Sequence, residues 1–222
     1  DAVYLAIGAH VEKSIGLEGE KAEGVLSAVE MLRAIGDGFL NDFSGDRIVV
    51  VGGGNVAMDV ARTSLRLGAE SVTVVYRRRV EDMTAQAEEI EGAIAEGCEI
   101  LELNAPLSIV TENGKVTGLE VQPQIIGDFD HGRPKPVKAD CPPAIIECER
   151  VLMAVGQAID GESLGINGLT LKRGQIVANE FGEIEGLPGV FSGGDCESGP
   201  ATVIRAIGAG KAAARNIDTY LG

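Results

Sequence analysis

The sequence predicts an α/β fold in which a parallel βαβ unit is inserted between two halves of a second domain. Three observations carry that expectation. Arg47–Val51 and Ser71–Tyr76 are β-branched runs joined by a Gly-rich turn and a helical pattern over Asn55–Leu67, the span of roughly thirty residues that a βαβ unit needs. Of the 222 residues, 45% are hydrophobic, 31 are glycine and only 4% are aromatic, a mixture suited to parallel strands under close-packed helices. Finally, V-Y-L-A-I-G at Val3–Gly8 and L-M-A-V-G at Leu152–Gly156 each run an apolar strand into glycine, one on either side of the βαβ unit.

In chain order, Val3–Ile7 reads as a buried strand. Gly24–Ile35 reads as a helix, with Val25, Leu26, Val29, Leu32 and Ile35 at helical spacing and Gly36 as its stop. Arg47–Val51, Asn55–Leu67 and Ser71–Tyr76 form the βαβ unit, and Ala85–Ala95 is a further helix ended by Gly97. The period then shortens. Ile100–Leu103, Leu107–Thr111 and Val116–Gln122 read as strands, with a turn at Asn113-Gly114. Asp128–Pro143, rich in Pro, Asp and Gly, reads as a loop at the tip of a hairpin returning along Ala144–Glu149. Arg150–Val155, Gln175–Ala178 and Val190–Ser192 are short strands, and Ala201–Tyr220 is a long helix after Gly199-Pro200. No repeat of solenoid period is present.

Charge narrows the function. With 19 basic against 34 acidic residues the net charge is −15, a surface that repels nucleic acid and anionic lipid and argues against either as a partner. Cys98, Cys141, Cys148 and Cys196 are far apart and form no C-x-x-C pair, which argues against a disulfide framework, a zinc site or a redox dithiol and leaves a single long-range bridge as the alternative. A reducing, cytoplasmic setting is the default, and no apolar run is long enough for membrane insertion. The chain opens on a strand without an initiator Met, as an excised piece of a longer protein would. His10 and His131 stand alone with no acid–base partner, and both read as structural or surface residues.

Gly52-Gly53-Gly54-Asn55-Val56-Ala57 fits G-x-G-x-x-A between strand and helix. Gly52 permits the tight turn, Gly54 lets backbone approach a pyrophosphate, and Ala57 allows close helix–strand packing. The helix start at Asn55 and Val56 offers free N–H groups and partial positive charge to the phosphates. The end of the second strand tells which dinucleotide fits. An NAD site places Asp or Glu there; this chain places Arg77-Arg78-Arg79, whose guanidinium groups suit the 2′-phosphate of NADP(H). Arg77 lies nearest the strand end, Arg78 follows, and Arg79 is expected to face solvent. NAD(H) remains the alternative.

Val190–Ser192 runs into Gly193-Gly194-Asp195, and Gly199-Pro200-Ala201-Thr202-Val203 then opens a helix. Two readings of this segment stand side by side. Asp195 binds a polyol hydroxyl while the helix start at Thr202 and Val203 stabilises negative charge on a ligand; or Asp195 caps a turn and Pro200 merely starts the helix.

Together, V-V-V-G-G-G-N-V-A-M-D-V-A-R at Val49–Arg62, Tyr76-Arg77-Arg78-Arg79 and G-G-D-x-x-x-G-P-A-T-V-I-x-A-I at Gly193–Ile207 resemble the glutamate synthase small subunit and the flavin-containing parts of dihydropyrimidine dehydrogenase. Tyr4–His10 and Val25–Arg33 match the same pattern, so the resemblance covers nearly the whole chain. It implies a two-dinucleotide-binding-domain flavoprotein: a Rossmann-like NAD(P)H-binding domain at residues 41–147, inserted into a partial FAD-binding domain at residues 1–40 and 148–222. It also implies that Gly52, Gly54, Asn55 and Val56 line the NADP(H) pyrophosphate, and that Arg77 and Arg78 approach the 2′-phosphate. Gly194 and Asp195 would serve the FAD ribityl chain, with Thr202 and Val203 at the pyrimidine edge of the flavin. The implied activity moves electrons from NADPH through FAD to a larger redox subunit or iron–sulfur domain. The chain departs from the family in having Met83-Thr84-Ala85 where Met-Pro-Ala is usual, and in lacking the N-terminal FAD fingerprint and the cluster-binding cysteines. A fragment of that kind is expected to be inactive by itself. The competing class is a nucleotide-binding regulatory or structural domain without redox chemistry.

Overall fold

The computed structural model describes residues 1–39, 42–130, 132–159 and 168–222. His131 and the expected domain edge between Leu40 and Asn41 lie outside the described residues. The chain runs β1 (Val3–Leu5), β2 (Val11–Glu12), β3 (Val25–Ser27), α1 (Ala28–Gly36), β4 (Arg47–Val51), α2 (Asn55–Arg66) and β5 (Ser71–Val75). A 3-10 turn (Val80–Asp82) leads to α3 (Ala87–Ala95), β6 (Glu99–Leu101), β7 (Asn104–Glu112), β8 (Lys115–Asp130), β9 (Arg133–Lys138), β10 (Ala144–Glu147) and β11 (Arg150–Met153). After these come β12 (Gln157–Ala158), β13 (Leu171–Lys172), β14 (Gln175–Ile176), β15 (Val190–Ser192), α4 (Asp195–Ser198) and α5 (Val203–Leu221).

Two compact units result. One is Ser14–Val155; the other joins Asp1–Lys13 to Gly156–Gly222. The unit boundaries therefore fall outside residues 41–147, because β3 and β11 pair with each other and β11 pairs with β4 in one parallel sheet. Residues 14–39 and 148–155 thus fall in the same unit as the βαβ elements.

The Ser14–Val155 unit is built on a parallel sheet of order β3-β11-β4-β5-β6. Its two faces are covered differently. Ile48, Val50, Val72, Val74 and Leu152 point toward α1, α2 and α3, packing on Met31, Met58, Val60 and Ala61. Val49, Val51, Val75, Val151 and Met153 point the other way, onto Ile109, Leu119 and Val121 of the antiparallel β7–β8–β10 layer. Since both faces are covered, β4 reads as an unbroken apolar run, with Ile48–Val51 each at most 3% exposed.

The expected helix over Gly24–Ile35 begins as a strand and is helical from Ala28. Val25–Ser27 forms β3, and the Ser27 hydroxyl accepts a hydrogen bond from the Glu30 amide, capping α1 at Ala28. The expected loop at Asp128–Pro143 is also largely strand: β8 continues to Asp130 and β9 pairs antiparallel with it, Ile126 opposite Pro136 and Phe129 opposite Pro134. Among the described residues only β8 flanks β9, so its prolines sit on an edge where their missing N–H groups cost no ladder bonds. The hairpin return expected at Ala144–Glu149 is β10, paired with β8.

In the other unit β1 pairs parallel with β15, β2 antiparallel with β12, and β13 with β14. Its core gathers Ala9, Ile159, Ile176, Ile184 and Cys196. Helix α5 starts at Val203, two residues later than expected, because Thr202 is its cap and accepts from the Arg205 amide. Phe191 meets Tyr220 of α5 edge to face at 5.7 Å.

Candidate nucleotide-binding site

Strand β4 delivers the chain into Gly52-Gly53-Gly54, and α2 leaves it. Each glycine has a different neighbour. At Gly52, φ is +150°, and a side-chain carbon would meet the backbone carbonyl oxygen of Ala154 at the end of β11. At Gly53 a side-chain carbon would lie 2.5 Å from two Tyr76 ring carbons. At Gly54 it would reach only Thr84 Oγ1, at 3.5 Å, an ordinary contact. Gly52 and Gly53 are thus required by the protein's own packing, whereas the space above Gly54 is open to a ligand. Ala57 is fully buried against the sheet.

The Met83–Ala85 loop closes over this turn. The amides of Thr84 and Ala85 donate to the Gly53 carbonyl at 3.0 and 3.1 Å, and the Thr84 hydroxyl does so at 3.3 Å. The Gln86 amide donates to Asn55 Oδ1 at 2.9 Å. The Gly52 amide donates to the Val75 carbonyl at 3.1 Å, and among the described residues the Gly53 and Gly54 amides have no hydrogen-bond acceptor. Asn55 and Val56 open α2, where N–H groups have no intrahelical acceptor, and there is no acidic residue in that first turn to oppose an anion. The threonine that replaces the family's usual proline contributes an amide bond that proline could not make.

The arginines divide in their pairing. Arg79 does not face solvent freely: it is ion-paired with Glu81 at 2.5 Å and Asp82 at 2.8 Å, which raises its own pKa and lowers that of Asp82. Arg78 Nε donates to the Pro134 carbonyl at 2.7 Å, and among the described residues no carboxylate pairs with it. Arg77 has no hydrogen-bond or ion-pair partner among the described residues. Although the residue is exposed, desolvation and the neighbouring charges of Arg78 and Arg133 hold its guanidinium below the ordinary arginine range. An unpaired cation under like-charge repulsion is poised to accept a dianion.

Tyr76 was not singled out by sequence reasoning, yet it joins the parts. Its ring packs on Gly53, and its hydroxyl donates to the Asp82 carbonyl at 2.9 Å. Its place at the end of the β-branched run and in the Tyr76-Arg77-Arg78-Arg79 motif was the signal that pointed toward it.

In the second unit, Gly194 has φ +77° and caps the short helix α4 that opens with Asp195. Asp195 is half-buried, and its Oδ1 accepts from the Ala201 amide at 3.3 Å. The turn-capping role expected for Asp195 is therefore present, and among the described residues its other carboxylate oxygen has no hydrogen-bond partner. Thr202 is exposed, and the start of α5 presents Val203 and Ile204 at 75% and 81% exposure. His10 Nε2 lies 2.7 Å from the Ile7 carbonyl, a local structural contact. Cys98, Cys148 and Cys196 are buried, and burial pushes the first two thiols up to about 11 and about 12. Among the described residues no cluster could hold a metal ion, and no helix is long and apolar enough to cross a membrane.

A covered parallel sheet with a glycine turn between its strand and helix defines an α/β protein of the dinucleotide-binding class. Comparison with known proteins narrows the class: residues 1–210 match the model described as pyridine nucleotide-disulphide oxidoreductase, and the chain belongs to that family. Over its full length it is 38% identical to NADP(+)-dependent formate dehydrogenase subunit beta of Moorella thermoacetica, covering 32% of that protein. It is 36% identical to the glutamate synthase (NADPH) small chain of Escherichia coli (strain K12), covering all of this chain and 50% of that one. The chain thus spans a third to a half of the length of these relatives. Among solved structures, Mycobacterium tuberculosis FprA in complex with NADPH matches 99% of the chain and 63% of its own, with TM-score 0.77 and 21% identity. T. acidophilum thioredoxin reductase matches 100% and 66%, with TM-score 0.75 and 20% identity. These two likenesses establish the fold.

Proposed function

We propose that the chain is part of an NADPH-oxidising flavoprotein that passes electrons from NADPH through FAD to a partner subunit or iron–sulfur cluster. The observation that carries this reading is Arg77, which has no ion-pair partner among the described residues, with Arg78 beside it at the end of β5 in a chain of −15 net charge. The names of the relatives support it, since they are NADP-dependent or NADPH-dependent subunits. In this reading Ser14–Val155 is the NADP(H) unit and the flanking unit is part of the FAD site, in a cytoplasmic protein.

The residues fit the two groups. Gly54 leaves room for a pyrophosphate, Gly52 sets the turn beneath it, and the Asn55 and Val56 amides point their partial charge at it. Arg77 and Arg78 take the 2′-phosphate. The second carboxylate oxygen of Asp195, without a partner among the described residues, suits a polyol hydroxyl, with Gly194 beside it. The exposed apolar start of α5 at Thr202 and Val203 suits a flat ring edge carrying partial negative charge. FAD, when bound, supplies acceptance of a hydride from nicotinamide and release of electrons singly to a cluster. The chain's own residues bind and orient; no side chain of the described site is placed as a nucleophile or general base.

The test is anaerobic titration of the full-length protein with NADPH and NADH while flavin absorbance is followed. Bleaching by NADPH in preference to NADH is expected. Full-length protein without bound flavin would instead support a regulatory or structural nucleotide-binding role and overturn the proposal.

A further inference from the structure

The β8–β9 hairpin, read from sequence as a plain loop, is tied to the arginine loop at three points. Arg133, the first residue of β9, donates through Nη2 to the Asp82 carbonyl at 2.8 Å and to the Tyr76 hydroxyl at 3.3 Å. The carbonyl of the next residue, Pro134, accepts the Arg78 Nε bond. Pro134 is buried, although the residues on either side of it are exposed. Tyr76 in turn rests its ring on Gly53 and bonds the Asp82 carbonyl. The hairpin, the glycine turn and the Arg77–Asp82 segment therefore form one braced assembly.

We propose that Arg133 is a positioning residue for nucleotide selectivity: by holding Tyr76 and the Asp82 carbonyl, the β8–β9 hairpin fixes the arginine loop in the geometry that recognises a 2′-phosphate. The inference rests on the reading of Arg77 and Arg78 given above. Its physical basis is the need for a rigid frame behind a charged recognition loop. An arginine with several rotatable bonds loses affinity when its anchor is free to wander. Arg78 has its Nε committed to the hairpin backbone, which leaves its terminal nitrogens to face a ligand in a defined direction.

The experiment uses the full-length protein and two probes, adenosine 2′,5′-bisphosphate and adenosine 5′-monophosphate, measured by calorimetry. Arg133→Met is expected to weaken the bisphosphate about tenfold, the equivalent of one misdirected charge-assisted hydrogen bond. The monophosphate should stay within about twofold, and Arg133→Lys should recover part of the loss because one donor is restored. Tyr76→Phe, which keeps the ring against Gly53, should shift selectivity in the same direction. Equal weakening of both probes by Arg133→Met would make the hairpin merely structural and overturn the inference. Arg77→Ala separates the two levels. If it loses bisphosphate selectivity while Arg133→Met does not, the hairpin proposal alone fails. If Arg77→Ala leaves selectivity intact, the 2′-phosphate reading fails beneath it.

Discussion

Replacing Gly52 by alanine drives a methyl group into the carbonyl oxygen of Ala154, while Gly54→Ala adds the same methyl group to open space. The first collision is with backbone, which cannot rotate away: the Ala154 amide donates a hydrogen bond to the Val51 carbonyl at 2.9 Å. Overpacking of this kind costs about 1–3 kcal/mol, and a non-glycine residue at φ +150° adds strain of order 1–3 kcal/mol. Gly52→Ala should therefore lose about 2–6 kcal/mol of stability, a large share of what a domain has. Gly54→Ala, at φ −104°, should lose only about 0.5–1 kcal/mol as a poorer helix cap. Urea unfolding of the two variants measures both. A loss below about 1 kcal/mol for Gly52→Ala would refute the packing argument. The ligand order is reversed: Gly54→Ala should fold yet bind NADPH at least about tenfold more weakly, because its methyl group occupies the path of the pyrophosphate. Parent-like NADPH affinity in Gly54→Ala would remove the turn from the nucleotide site.

Three further outcomes follow from the structure. Arg66 and Arg62 hold the Glu96 carboxyl down to about 2, from an ordinary 4.5; its folded value is depressed, so its contribution is complete above the unfolded value and lost as pH falls toward 2. The melting-temperature gap between the parent and Glu96→Gln should then be constant above pH 5 and shrink steadily below 4.5; a gap that persists to pH 2 would count against the ion pairs linking α2 to α3. Leu119→Ala, at a fully buried position between the two sheet layers, should cost about 2–5 kcal/mol in the same urea assay. In native protein a disulfide thiol probe should react with the exposed Cys141 and leave Cys98, Cys148 and Cys196 untouched until urea is added, and fast labelling of Cys148 would contradict its burial.

The glycine turn was legible because its signal is local: β4, the turn, α2 and β5 follow one another with periods that each fit a single structure. β3 was misread because Val25, Leu26, Val29 and Leu32 satisfy a helical spacing, and only pairing with the remote β11 makes Val25–Ser27 extended. The prolines at 134 and 136 hid β9 for the opposite reason: they read as loop residues, and an edge position is visible only once β8 is in place. In the candidate site, the positions of Arg77 and Arg78 could be read from the sequence, but their pairing could not. The difference between Arg79 and its neighbours depends on Asp82 turning back across the 3-10 turn. Tyr76 and Arg133 escaped notice because their importance comes from contact across 57 positions of chain.

The strand order of the parallel sheet has a consequence for how the chain is made. β11 lies between β3 and β4, so the gap in the middle of the sheet closes only after Arg150–Met153 has left the ribosome. Until then two apolar strand edges await a partner, and the bond between the Arg47 amide and Glu149, 102 positions apart, cannot form. Loop closure over that distance precedes any reward from pairing, which makes folding slow and leaves the nascent unit open to misassociation. A stop or a proteolytic cut just before Arg150 would thus do more than shorten the protein: it would leave the glycine turn on a sheet that cannot close, without the Ala154 carbonyl against which Gly52 is fitted.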